Sequence, residues 1–266
     1  MVIMQGEDCE WVLRLGLVTY NLARSWSIER IIEICSKTGF EAVELRTTHA
    51  HGVEPSISVE ERRRVREAFE KSPVRLLSLG TTCEYHSPDK AEVDRNIETT
   101  EAFIRLAYDV GALGVKVRPN RLMEDYGIPR EKTIQQIAEA LRNCGDYAEH
   151  YDVEVWLEVH GYGTCDPNCI REIMKLSNHP HVGVCWNSNE TDLINGSVRE
   201  SFNMLREWVK SVHIHELYDK SYPYMELFQL LKAANYNRYC LAEIDESPEP
   251  ERIMKYYKAL WEELVK

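Results

Sequence analysis

Three short segments put titratable side chains at the ends of apolar runs: LEVHG at 157–161, VHIHE at 212–216 and LAEID at 241–245. A fourth, GVCWNS at 183–188, ends an apolar run on an amide. Side chains alternate along a strand, so Glu158 shares a face with His160, His213 with His215, and Glu243 with Asp245. Asn187 shares one with Gly183 and Cys185. The steps Glu158 to Asn187 to His213 to Glu243 are 29, 26 and 30 residues, each close to one β–α unit. Two carboxylates, an imidazole and an amide oxygen would then meet at one rim. That donor set suits manganese, magnesium or cobalt better than a thiolate-rich zinc site would, with zinc as the remaining divalent candidate. A cation there would bind adjacent oxygens of a sugar and polarise its carbonyl, acidifying the neighbouring C–H. Glu158 and Glu243, on either side, would remove and return the proton.

Such a rim needs strands in strict order. Apolar, β-branched runs occur at 12–20, 41–48, 74–82, 112–120, 153–161, 181–188, 211–217 and 238–245, with amphipathic segments between them. The segment SIERIIEICSKTG opens on a Ser cap and closes on Gly39. SVEERRRVREAFEKS is charged on one face, as an outer helix should be. Alternating β and α elements imply a parallel sheet. Eight such units in 266 residues average about 33 residues, which favours one closed (β/α)8 TIM barrel spanning 1–266. Neither GxGxxG after the first strand nor GxxxxGK[ST] occurs, which removes the usual evidence for a nucleotide-binding open sheet.

Charge narrows the partners. A net charge of −12 repels nucleic acid and anionic membranes, and no apolar run reaches the roughly 20 residues that span a bilayer. The first residues, MVIMQGEDCEW, lack the basic and apolar blocks of a secretory signal. The eight cysteines are scattered, and Cys165 with Cys169 in TCDPNC is a weak zinc motif without a second pair. Reduced, mostly buried thiols in a cytoplasmic protein are the plain expectation. The outer helices also offer a surface for a homo-oligomer.

Other residues are candidates at the mouth. His49 and His51 lie in the loop after the second strand, His51 favoured because Gly52 beside it suggests a close approach. Arg118 in VRPN is placed to contact a substrate phosphate or carboxylate through a bidentate pair. Buried Glu158 and Glu243 need a counter-charge; without a metal, Arg46 or Arg118 would supply it. Trp156 and Trp186 would either wall the site or pack the core.

At LEVHG, GVCWNSNE, VHIHE and LAEID the chain resembles the sugar phosphate isomerase/epimerase group of the xylose-isomerase-like barrels, which includes tagatose and psicose epimerases. The resemblance implies metal ligands Glu158, Asn187, His213 and Glu243, with both glutamates as the acid/base pair. It also marks departures. Asn187 stands where the family usually has Asp, Glu190 where it often has His, and His215 where it has Lys. Asn187 removes one negative charge, which Glu190 would restore by swinging inward. His160, Glu190 and His215 join Arg118 and His51 as substrate-binding candidates. Endonuclease IV is a second relative, but its site needs many more His and acidic ligands, and the net charge weighs against a DNA groove.

The leading expectation is therefore a metal-dependent isomerase or epimerase of a sugar or sugar derivative. The altered Asn187/Glu190 pair keeps a second one open, a dehydratase or lyase on a keto-sugar, inosose or keto-glycoside. The third is a non-catalytic carbohydrate-binding barrel whose site has decayed at Asn187.

Overall fold

A computed structural model describes residues 13–266. Eight parallel strands close into a barrel in sequence order. They are β1 (Arg14–Asn21), β2 (Ala42–Arg46), β3 (Arg75–Glu84), β4 (Gly114–Arg118), β5 (Glu154–Glu158), β6 (Val182–Asn187), β7 (Val209–Ile214) and β8 (Tyr239–Ile244). Helices alternate with them: α1 (Ile28–Thr38), α2 (Val59–Glu70), α3 (Lys90–Val110), α4 (Arg130–Glu149), α5 (Pro167–Ser177), α6 (Arg199–Leu205), α7 (Tyr224–Ala233) and α8 (Pro250–Leu264). Every expected strand is present. Sequence bounds overrun β2 and β4 slightly and β5 and β7 most, where the chain leaves the sheet at Glu158 and Ile214. After β5, Gly161 adopts φ 98° and a Cβ there would collide with the Asn120 carbonyl. Tyr162 instead exchanges main-chain bonds with Asn120 and Leu122, turning the segment across the rim.

Local signals start and stop the helices. Ser27 caps α1 by accepting from the Arg30 N–H, and Gly39 ends it in the left-handed region. Ser58 and Glu61 form a reciprocal capping box on α2.

The barrel has two cores. One lies between strands and helices; the other fills the barrel floor with Val18, Ala42, Leu77, Trp156, Cys185 and Leu241. Gly114 makes room for Trp156, since a Cβ on it would lie 2.5 Å from the indole. Below, Glu154 is clamped by Arg238 at 2.5 and 2.8 Å and accepts from Trp156 Nε1 at 2.8 Å, while Arg14 stacks on Tyr239. The end of the barrel where the strands begin is thus packed shut. Strand register shifts occur at Leu17/Asn21, Val43/Glu44, Gly80/Glu84 and Val184/Cys185. Such irregularities re-aim side chains, and here they fall beside the polar residues described next.

Among the described residues no helix is long and apolar enough to cross a membrane. The seven described cysteines are free, six of them buried, and Cys9 lies outside the described residues.

Candidate active site

Above the apolar floor, the inward positions turn polar. Glu158 ends β5, His213 lies in β7 and Glu243 in β8, and one donor atom from each falls within 4.8 Å of the others. His213 Nδ1 is 3.5 Å from Glu158 Oε1 and 3.4 Å from Glu243 Oε1. Asn187, at the end of β6, pairs in register with His213 and is buried. Its Oδ1 and His213 Nδ1 are both buried without a hydrogen-bond partner. Orphaned polar atoms are costly to bury, and these two are an oxygen and an imidazole nitrogen beside two carboxylates. The residues fit a divalent cation held by Glu158, Asn187, His213 and Glu243.

Two members of the cluster escaped the sequence reading. Glu44 on β2 is fully buried. Its Oε2 accepts from Ser78 Oγ at 2.8 Å and lies 3.4 Å from His213 Nε2. That contact places a proton on Nε2 and leaves Nδ1 as the nitrogen facing Glu158 and Glu243, the orientation that a carboxylate behind a ligating histidine gives. Lys116 on β4, also fully buried, donates from Nζ to Glu158 Oε2 at 2.6 Å. The counter-charge is therefore Lys116, and neither Arg46 nor Arg118 supplies it. Both arginines sit two residues further along their strands, one layer nearer solvent. Each missed residue gave a signal like that of Glu158, a charge flanked on both sides by apolar residues of a strand.

Electrostatics favour positive charge here. Burial raises the pKa of Glu158, but Lys116 and His213 outweigh it and hold the carboxyl well below its usual range. Glu44 and Glu243 are likewise held down against burial, Glu44 chiefly by His213 and Lys116, Glu243 by His215 and His213. Burial lowers the His213 pKa, but Cys185, Glu44 and Glu158 outweigh it and raise it well above its usual value. Three carboxylates thus face one ammonium and an imidazole that favours a second positive charge, a proton or a metal in its place.

The remaining candidates divide. His160 is partly buried near Glu158, its Nδ1 unpartnered, and burial lowers its pKa. His215 Nε2 is 3.4 Å from Glu243 Oε2, with the side chain partly exposed. These two line the upper layer of the mouth. Arg118 is bound to Glu84, which also accepts from Asn120 Nδ2 at 2.9 Å. His51 is tied into its own loop: Nε2 donates to the Arg46 carbonyl at 2.8 Å and Nδ1 accepts the Val53 N–H at 3.0 Å. Neither ring nitrogen is left for a substrate. Glu190 is exposed on a short 3-10 turn and does not swing inward; the buried acid of that turn is Asp192. Asp192 accepts from Tyr222 OH at 2.8 Å and from the Asn189 N–H at 2.9 Å. The tryptophans do not wall the mouth either. Trp156 lies in the floor, and Trp186 points outward, packing on Phe202 and donating to Tyr222 OH.

A closed parallel barrel with carboxylates and an imidazole converging at the C-terminal ends of its strands is an architecture in which this end carries the chemistry. The chain belongs to the xylose isomerase-like TIM barrel family, whose model matches residues 32–261. None of the curated protein sequences matches it. Among solved structures it is similar to D-psicose 3-epimerase from Clostridium cellulolyticum H10, with TM-score 0.79 and 12% identity over 96% of this chain and 100% of that one. It is also similar to 3-keto-D-glucoside 4-epimerase YcjR from E. coli, with TM-score 0.74 and 15% identity over 95% and 99%. The IolI protein, solved with a bound zinc atom, superposes with TM-score 0.70 and 16% identity over 95% and 96%. At these identities the likeness is one of fold.

Proposed function

We propose that the protein is a divalent-metal-dependent isomerase or epimerase acting on a sugar or sugar derivative, with Glu158 and Glu243 moving a proton beside the carbonyl. The observation that carries the reading is the convergence of Glu158, His213 and Glu243 within 4.8 Å, with the buried His213 Nδ1 and Asn187 Oδ1 unpartnered. Two of the structural neighbours are sugar epimerases by description and a third holds zinc, which agrees with it.

When bound, the cation would polarise the sugar carbonyl and so acidify the adjacent C–H. This chain's residues supply the rest. Lys116 keeps Glu158 ionised and fixes Oε2, while Oε1 faces His213 and the centre of the cluster. Glu243, 3.4 Å from His215 and ionised at rest, would first take a proton through that partly exposed imidazole and then return it to the substrate from the other side. Two carboxylates on opposite sides of one carbon allow removal from one face and return to the other, which inverts the centre. The closed floor and the buried layer keep bulk water from competing. His160 and His215 are placed to bond substrate hydroxyls.

The same proton removal drives elimination when a leaving group occupies the next carbon. His215, partly exposed beside Glu243, is placed to protonate such a group.

The test is solvent deuterium exchange. Protein grown with manganese should carry close to one metal per chain. It should place deuterium next to the carbonyl of at least one member of a ketose panel. Chelation, Glu158→Gln and Glu243→Gln should each lower the exchange rate by roughly 100-fold or more. A released water or aglycone with an absorbing enone would select elimination. Metal-loaded protein that exchanges nothing and transforms nothing would leave only a binding role.

A further inference from the structure

We propose that the substrate carries an anionic group, a carboxylate or a phosphate, and that Arg46 at the β1–β2 corner of the mouth binds it. The inference rests on reading this mouth as the sugar site and adds the substrate's charge.

Arg46 shares the inward face of β2 with Glu44 and lies one layer nearer solvent. Gly80 on β3 opens the slot it occupies, since a Cβ there would lie 2.5 Å from Glu44 Oε1 and 2.7 Å from Arg46 Cδ. The two other cations on inward strand positions around the mouth have anionic partners: Lys116 has Glu158 and Arg118 has Glu84. Arg46 has no carboxylate within 4 Å and no side-chain hydrogen bond among the described residues, although its Nε is buried. Its guanidinium lies 5.3 Å from the ring centroid of Tyr20, which stays open to the mouth. Glu44, directly beneath, spends Oε2 on Ser78 and His213, and its unpartnered Oε1 makes no ion pair with the guanidinium.

A half-buried arginine with an unused fork is costly unless a ligand completes it. Stacking on Tyr20 fixes the plane of that fork but leaves its N–H groups free. The surroundings reinforce the charge. Arg24 is exposed on the neighbouring loop and lines a cavity of about 760 Å³ with Asn21, Ser25, Thr48 and Glu246. His49 bonds Thr19 Oγ1 at 3.0 Å; burial, then His51, Arg46 and Arg24, bring its pKa down to about 4. Two arginines thus flank a neutral imidazole, with Glu246 as the acid on the same cavity, in a chain whose net charge is −12; the attraction for an anion is local to the unpaired guanidinium.

Calorimetric titration of the manganese-loaded protein with D-glucuronate, D-glucose 6-phosphate and D-glucose tests this. At least one acid should bind about tenfold or more tightly than glucose, the scale of one charge-assisted contact. Which acid wins separates a carboxylate from a phosphate. Arg46→Met should bring the preferred acid to within about twofold of glucose, with metal content and melting temperature unchanged, and Arg46→Lys should keep part of the preference. Glucose binding as tightly as both acids, or a preference that survives Arg46→Met, overturns the inference. Metal content and deuterium exchange report separately on the proposed reaction. A chain without metal that still prefers the acid through Arg46 would sink that reaction and support this inference.

Discussion

His213 Nε2 and Glu44 Oε2 lie 3.4 Å apart with both side chains fully buried. One nitrogen of the imidazole is therefore committed on the side away from Glu158 and Glu243. Glu44→Gln preserves shape but removes the charge behind the ring. We expect affinity for manganese or zinc to fall by about tenfold or more, read by competition with a chromophoric chelator. An unchanged affinity would show that His213 is oriented by packing alone.

Asn187→Asp should act in the opposite direction. It adds a carboxylate where the amide oxygen now sits unpartnered, and dications bind more tightly as ligand charge rises. The same chelator assay should show tighter binding, with the largest gain for magnesium, which favours charged oxygen ligands.

Lys116→Met breaks a pair that is buried on both sides. Removing one partner of a buried ion pair costs about 3–5 kcal/mol because the other charge is left uncompensated. Thermal melts of the metal-free variant should show a clear drop in stability. Added manganese should recover part of it, because a second cation then compensates Glu158. If the variant melts like the parent without metal, Glu158 does not depend on the ammonium.

Asp192 gives a pH signature. Burial, opposed by Tyr222 and the Asn189 N–H, pushes its carboxyl up from 3.8 to about 7. Between those values the folded chain holds a proton that the unfolded chain has released, so this group's contribution to stability falls as pH rises from about 4 to 7. Asp192→Asn removes that titration. The stability of the variant relative to the parent should climb across this window and level off above it, as followed by denaturant melts at a series of pH values. A difference that stays flat with pH would mean that Asp192 is ionised throughout.

Much of this arrangement is readable from spacing. Glu158, Asn187, His213 and Glu243 stand out because each is a polar group closing an apolar run, and about one β–α unit separates successive members. Alternation alone also places Trp186 on the face opposite Asn187, hence away from the mouth. Depth is harder. Trp156 and Glu158 share an inward face, yet one fills the floor and the other reaches the polar layer, because layer height depends on register between strands. Pairings across the barrel are harder still: Glu44 meets His213 from 169 residues away. The role of His51 is equally hidden, since its bonds go to main-chain atoms of its own loop, set by backbone angles that residue types do not fix.

The clamp of Glu154 by Arg238, with Trp156 above it, makes the barrel a vessel with one opening. Whatever reaches Glu158 must depart by the route it arrived. Starting material and product would then contend for a single passage, so the product should inhibit competitively. Turnover would be governed as much by traffic through the mouth as by events inside it.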